Sequence, residues 1–232
     1  MRKEGSPMIN KPDFDRAATA AMQLLVDRNN PETPIRSMDI LLHYPRVRVL
    51  PYTQAAEQAG MDRQDLIFLF GNREAALFRL DMPENPDLKD VDYLVFYNML
   101  LSDEVVRRGV ARELGHIVLG HDGATRPYEV RLAEARCFAH HLLTPRPIIH
   151  ILQHSGHPIT LDMLVETTGC SDSCIDELQH IPGAHVPAAL NNQVREIYAP
   201  HILEYISYHF SPFKADHSHV VDFGSFMDYY EE

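Results

Sequence analysis

The stretch SDEVVRRGVARELGHIVLGHDG, residues 102–123, decides how the rest of the chain is read. Val106, Val110, Leu114, Ile117 and Val118 recur at helical spacing, which predicts a helix with one side packed on a core. Ser102 is placed to cap its start, and Asp103 and Glu104 suit the positive end of the helix dipole. Arg112, Glu113 and His116 fall on a neighbouring side, together with Gly109 and Gly120. A glycine inside a helix costs about 1 kcal/mol relative to alanine. That cost points to close approach of another segment, with a C-terminal stop as the alternative role of Gly120.

Two histidines at i and i+4 on one helix face can share a zinc ion while an intervening Glu acts as general base on the bound water. In Arg112-Glu113-Leu114-Gly115-His116 the Glu and the second His of such a motif are present, and the first-ligand position holds Arg112. A guanidinium carries five donors, no lone pair and a permanent charge, so it cannot ligate zinc.

Working outward, Ala75–Leu80 and Asp92–Tyr97 read as strands across the loop DMPENPDLKD, and Tyr93–Tyr97 is apolar on both faces, as an inner strand would be. Earlier segments predict a helix over Phe14–Asp27, a short one at Ser37–His43, a strand at Val47–Val49 and a helix over Arg63–Phe70 capped by Asp62. Later ones predict helices over Pro127–Leu143, from a cap at Thr160 to Thr168 with Gly169 ending it, from a cap at Ser171 or Asp172 through His180, and over Val194–Phe210 with a disturbance at Pro200.

The chain has 232 residues, ordinary hydrophobic (45%) and charged (23%) fractions and a net charge of -12. These values exclude collagen-like, coiled-coil and wholly disordered readings, and the charge has the wrong sign for phosphate backbones or anionic lipid. No nucleic-acid or membrane partner is therefore expected. No apolar run is long enough to span a bilayer. Three cysteines suggest a reducing compartment rather than a disulfide scaffold, so the expected location is the cytoplasm.

The run YLVFYNMLLSDEVVRRGVARELGHIVLGH (residues 93–121) followed by EVRLAEARCFAHHLLTP (residues 129–145) resembles the ImmA/IrrE family of zinc-dependent endopeptidases. There a strand ending in Tyr-Asn precedes a His-Glu-x-Gly-His helix, and a helix of pattern Glu-Ala-x-x-Phe-Ala-x-x-Leu-Leu-x-Pro supplies a carboxylate ligand. Glu134-Ala135, Phe138-Ala139 and Leu142-Leu143 through Pro145 match that second pattern. A looser match extends over Phe14 to about Leu178. The resemblance implies an α+β, zincin-like fold with a small sheet packed on the motif helices, followed by a helical C-terminal part. The expected ranges are 1–12 for a flexible lead-in, 13–156 for the zincin-like domain, 157–210 for the helical part and 211–232 for an acidic aromatic tail. It also implies His116 and Glu134 as metal ligands, Glu113 as catalytic base and zinc as the cofactor, if any. Arg112 and Arg136 depart from the family pattern.

Family members cleave helix-turn-helix repressors and so release mobile-element or stress genes. With Arg112 at the first-ligand position, the expected function is that of a pseudoenzyme: a metallopeptidase-like frame binding a repressor or antitoxin-like protein. The alternative is an active zinc endopeptidase cutting such a repressor. Arg112 is expected to pair with Glu134, its donors replacing the charge of the metal.

Simpler readings stand beside these. Glu113 and Glu134 could be an ordinary surface ion pair and a solvated helix carboxylate. His116 could be a half-buried, hydrogen-bonded histidine. His121, past Gly120, is read as a non-ligand, Cys137 as a packing residue and His141 as exposed. Cys137 or His141 could replace the lost ligand only in a rearranged site. His150 and His154, at i and i+4, read as surface histidines without a carboxylate or Cys partner in register, and Cys170 and Cys174 as reduced thiols. The helix pair over Thr160–His180 looks like a DNA-reading motif, but Asp172, Asp176 and Glu177 would repel phosphate.

Overall fold

The computed structural model describes residues 11–71, 73–80, 88–121, 126–170 and 183–210. The chain is a mixed, mostly helical structure with one small three-stranded sheet. It gathers into two compact units, one of residues 36–117 and one of residues 1–35 with 118–232. Among the described residues no helix is long and apolar enough to cross a membrane.

In unit 36–117 the sheet runs in the order β1–β3–β2, with β1 at Val47–Pro51, β2 at Ala75–Arg79 and β3 at Tyr93–Tyr97. β3 is central, as its two-sided apolar character requires, and its middle residue Val95 is fully buried. It pairs parallel with β1, Val49 opposite Val95, and antiparallel with β2, Leu77 opposite Val95. The pairing of β2 with β3 is the one expected across the loop between them.

Helix α2 (Ser37–Leu42) leads into β1, and α3 (Tyr52–Ala59) follows β1 directly. No helix was expected at α3, where Pro51 and the β-formers Tyr52 and Thr53 mask a helical tail ended by Gly60 in the left-handed region, φ +62°. Helix α4 (Arg63–Leu69) begins at Asp62, whose side chain accepts from the Gln64 N–H, the cap expected for it. Together α3 and α4 enclose Tyr52, Ala55, Ala56 and Leu66. Phe70 closes this layer, its ring 5.3 Å from Phe96 at 21° and 5.0 Å from Phe78. Helix α5 (Asp103–Val118) buries Val110, Leu114 and Ile117, three of the positions assigned to its packing side.

In the other unit, α1 (Phe14–Arg28) starts at Asp13, whose side chain accepts from the Arg16 N–H, and buries Ala17, Ala18, Ala21, Met22 and Leu25. It packs on α6 (Tyr128–Leu143) and on α9 (Ala188–His209). The small residues at 17, 18 and 21 let α6 come close, since no bulky side chain fills the interval. Helix α7 (Arg146–Gln153) packs on α9, and α8 (Leu161–Thr168) is capped by Thr160 and ended by Gly169, as expected. Helix α9 starts earlier than expected and continues through Pro200. The helix expected at 171–180, Cys174 and the acidic tail lie outside the described residues.

Candidate functional site

Helix α5 carries Arg112, Glu113 and His116, and its geometry follows from Gly109. A β-carbon placed there would stand 2.8 Å from the Glu74 Cβ and 3.3 Å from the Ala75 N, so only glycine lets α5 lie this close to the start of β2. This is the close approach that the glycine predicted. Gly120 has open space around it and φ +60°, so its role is the left-handed turn past the end of the helix.

The close approach brings the Glu74–Ala75 segment within reach of Arg112, one turn further along α5. The Arg112 Nε and Nη2 donate to Glu113 Oε1 at 3.0 and 2.9 Å, Nη1 donates to Glu74 Oε2 at 3.1 Å, and Nη2 reaches the Ala75 carbonyl at 3.3 Å. Glu113 is buried, and burial raises its pKa against the opposing pull of Arg112. For Arg112 burial acts the other way, but the two carboxylates outweigh it and the guanidinium is held charged. The ion pair imagined as a surface contact is therefore a largely desolvated one. The carboxylate partners of Arg112 are Glu113 and Glu74, in place of the Glu134 expected from the sequence. His116 is half-buried on the same helix, one turn after Arg112.

Glu134, on α6, belongs to the other unit and is completely buried, which excludes the solvated-carboxylate reading. Its Oε1 accepts the Asp13 backbone N–H at 2.8 Å and also binds Arg126 Nη1. Its Oε2 meets His121 Nε2 at 2.9 Å, with Arg16 Nη1 at 3.8 Å. The pKa of His121 is lowered, first by burial and then by Arg16 and Arg126, against the pull of Glu134. His121 was read as standing off the motif face. Helical periodicity ends at Val118, however, and the Gly120 turn re-aims the chain. Neither His121 nor Arg126 carries a spacing signal that ties it to Glu134.

His141, expected to be exposed, is buried, because α6 is enclosed on nearly all sides. Among the described residues its Nδ1 has no hydrogen-bond partner, and burial pushes its pKa down to about 3. Cys137, one turn earlier, packs as expected: burial raises its thiol to about 12, and its Sγ lies 3.6 Å from the Phe14 carbonyl. Arg136 is exposed.

These donor sets do not suit zinc. Arg112 has no lone pair to offer, Glu113 is engaged by that guanidinium, and both oxygens of Glu134 already accept from donors. Among the described residues no group of three His, Cys, Asp or Glu is gathered as a metal ion would need. Compared with protein-family models, with curated proteins and with solved structures, the chain has no significant match.

Proposed function

We propose that the chain is a zincin-like, ImmA/IrrE-type frame that binds a repressor-type partner protein without cutting it. The observation that carries this reading is the seat of Arg112: at the position of a metal-binding imidazole, a guanidinium neutralises the carboxylate that would otherwise take a proton from water. The charge that a dication would bring is supplied by a fixed side chain. Hydrolysis thereby loses its general base, while the framework around it stays intact.

A binding role also has surface to work with. β2 has β3 on one side and no described strand on the other. Phe78 on that strand, and Phe68 and Leu69 on α4, are exposed. Arg112 takes the Ala75 carbonyl at the start of β2, and the exposed end of the strand at Phe78 and Arg79, with apolar side chains nearby, suits a protein partner.

The test pairs metal content with partner integrity. After dialysis, the natural protein is expected to retain zinc at well below one ion per chain, and Arg112→His to retain more. A helix-turn-helix repressor from a neighbouring gene, co-expressed with the chain, is expected to copurify at full length. Stoichiometric zinc that is lost on His116→Ala, or cleavage of that repressor abolished by Glu113→Gln, would establish the peptidase instead.

A further inference from the structure

His150 and His154 stand one turn apart at the exposed end of α7. Their rings are stacked, with centroids 3.9 Å apart and planes at 17°. The Nδ1 of His154 lies 2.9 Å from the His150 carbonyl oxygen. A carbonyl only accepts, so Nδ1 carries the proton and the lone pair of His154 is on Nε2, facing away from the helix backbone. In metal-bound imidazoles the ring N–H that does not ligate is likewise held, by a carboxylate, a backbone carbonyl or water, which fixes tautomer and orientation.

We propose that His150 and His154 form a solvent-open, two-imidazole site for a divalent transition-metal ion of the zinc, nickel or copper class. Imidazole nitrogen suits these ions, and i,i+4 spacing on a helix lets two rings reach one ion at about 2.0–2.1 Å. The stacking holds the two rings side by side, and rotation about their side-chain bonds is what would turn both ring nitrogens onto one ion. His150 is already disposed to be neutral, its pKa lowered first by burial and then by His154 and Arg195. Among the described residues no third ligand joins the pair, so water or an incoming ligand completes the coordination. Arg195 on α9 lies near enough to act on His150, and its charge opposes the cation. The sequence alone read these residues as surface histidines; the stacking and the fixed tautomer come from the fold. The site uses neither Arg112 nor Glu134 and does not depend on the function proposed above.

Zinc chloride or nickel chloride titrated calorimetrically into the untagged full-length chain is expected to show one ion bound per chain at this site. His150→Ala and His154→Ala each remove one of two ligands and are expected to weaken binding at least about tenfold. Arg195→Glu exchanges an opposing charge for a potential carboxylate ligand and is expected to tighten it by a similar factor. Unchanged affinity in the His150→Ala/His154→Ala double variant would overturn the proposal, as would weaker binding by Arg195→Glu. Zinc measurements on the Arg112 variant are made in that double-variant background, which keeps the two sites distinguishable.

Discussion

Gly109 on α5 and Glu74 at the entry to β2 approach so closely that a β-carbon on the glycine would lie 2.8 Å from the Glu74 Cβ. This contact sets the distance over which Arg112, one turn along the helix, can pair with Glu74. Gly109→Ala would gain about 1 kcal/mol of helix propensity but meet an overpacking cost of about 1–3 kcal/mol, because the opposing atoms belong to the lead-in of a strand and not to a flexible tip. A net loss of up to about 2 kcal/mol is expected by urea unfolding, together with a weakened Arg112–Glu74 pair. A stabilised Gly109→Ala protein would show that the two segments move apart freely.

Arg112 and Glu113 should respond unequally to substitution. Arg112→Ala leaves a buried carboxylate unpaired and is expected to cost about 3–5 kcal/mol near neutral pH. Glu113→Gln removes a charge that burial already disfavours, leaves Arg112 its pair with Glu74, and is expected to cost about 1 kcal/mol or less. The Glu113 pKa is raised in the folded state and rises further without Arg112. Its folded form therefore takes up a proton more readily than the unfolded chain, and stability is lost as pH rises through the folded pKa. The Arg112→Ala deficit should shrink as pH is lowered toward the carboxylate range. Unfolding curves across pH check this, and a pH-independent deficit would remove Glu113 from the explanation.

His141 offers a second pH signature of opposite sign. Its folded pKa of about 3 lies far below the ordinary 6.5, so below pH 6.5 the unfolded chain takes up a proton that the buried ring refuses. Each pH unit of descent in that window costs about 1.4 kcal/mol of stability from this group. His141→Leu removes both the titration and the partnerless Nδ1. It is expected to be neutral or slightly stabilising at pH 7 and clearly more stable than the natural protein at pH 5. If the two proteins lose stability in parallel as the pH falls, His141 is solvated and the burial argument fails.

Local chemistry was legible where it acts over one or two turns. The caps at Asp62 and Thr160, the stop at Gly169 and the buried Val110, Leu114 and Ile117 of α5 stand where the spacing put them. The helix α3 was missed because its first residues favour strand, and what makes them helical is the core that buries Tyr52, Ala55 and Ala56. α6 is almost uniformly enclosed, so polarity along it did not reveal that Glu134 and His141 are interior. The long-range partners of Arg112 and Glu134 were invisible for a different reason. Glu74 is 38 residues from Arg112, and Asp13 is 121 residues from Glu134.

Sequence alone settled that residue 112 cannot ligate a metal, because the absence of a lone pair on Arg112 is a property of the residue and holds in any fold. It also implied that something must come close to Gly109, since helix propensity makes an unneeded glycine costly. Only the tertiary structure decided what that guanidinium pairs with, which carboxylates are stripped of water, and which imidazole nitrogen keeps its lone pair. Those quantities depend on burial and on contacts between distant segments, and side-chain spacing along a chain carries no information about either.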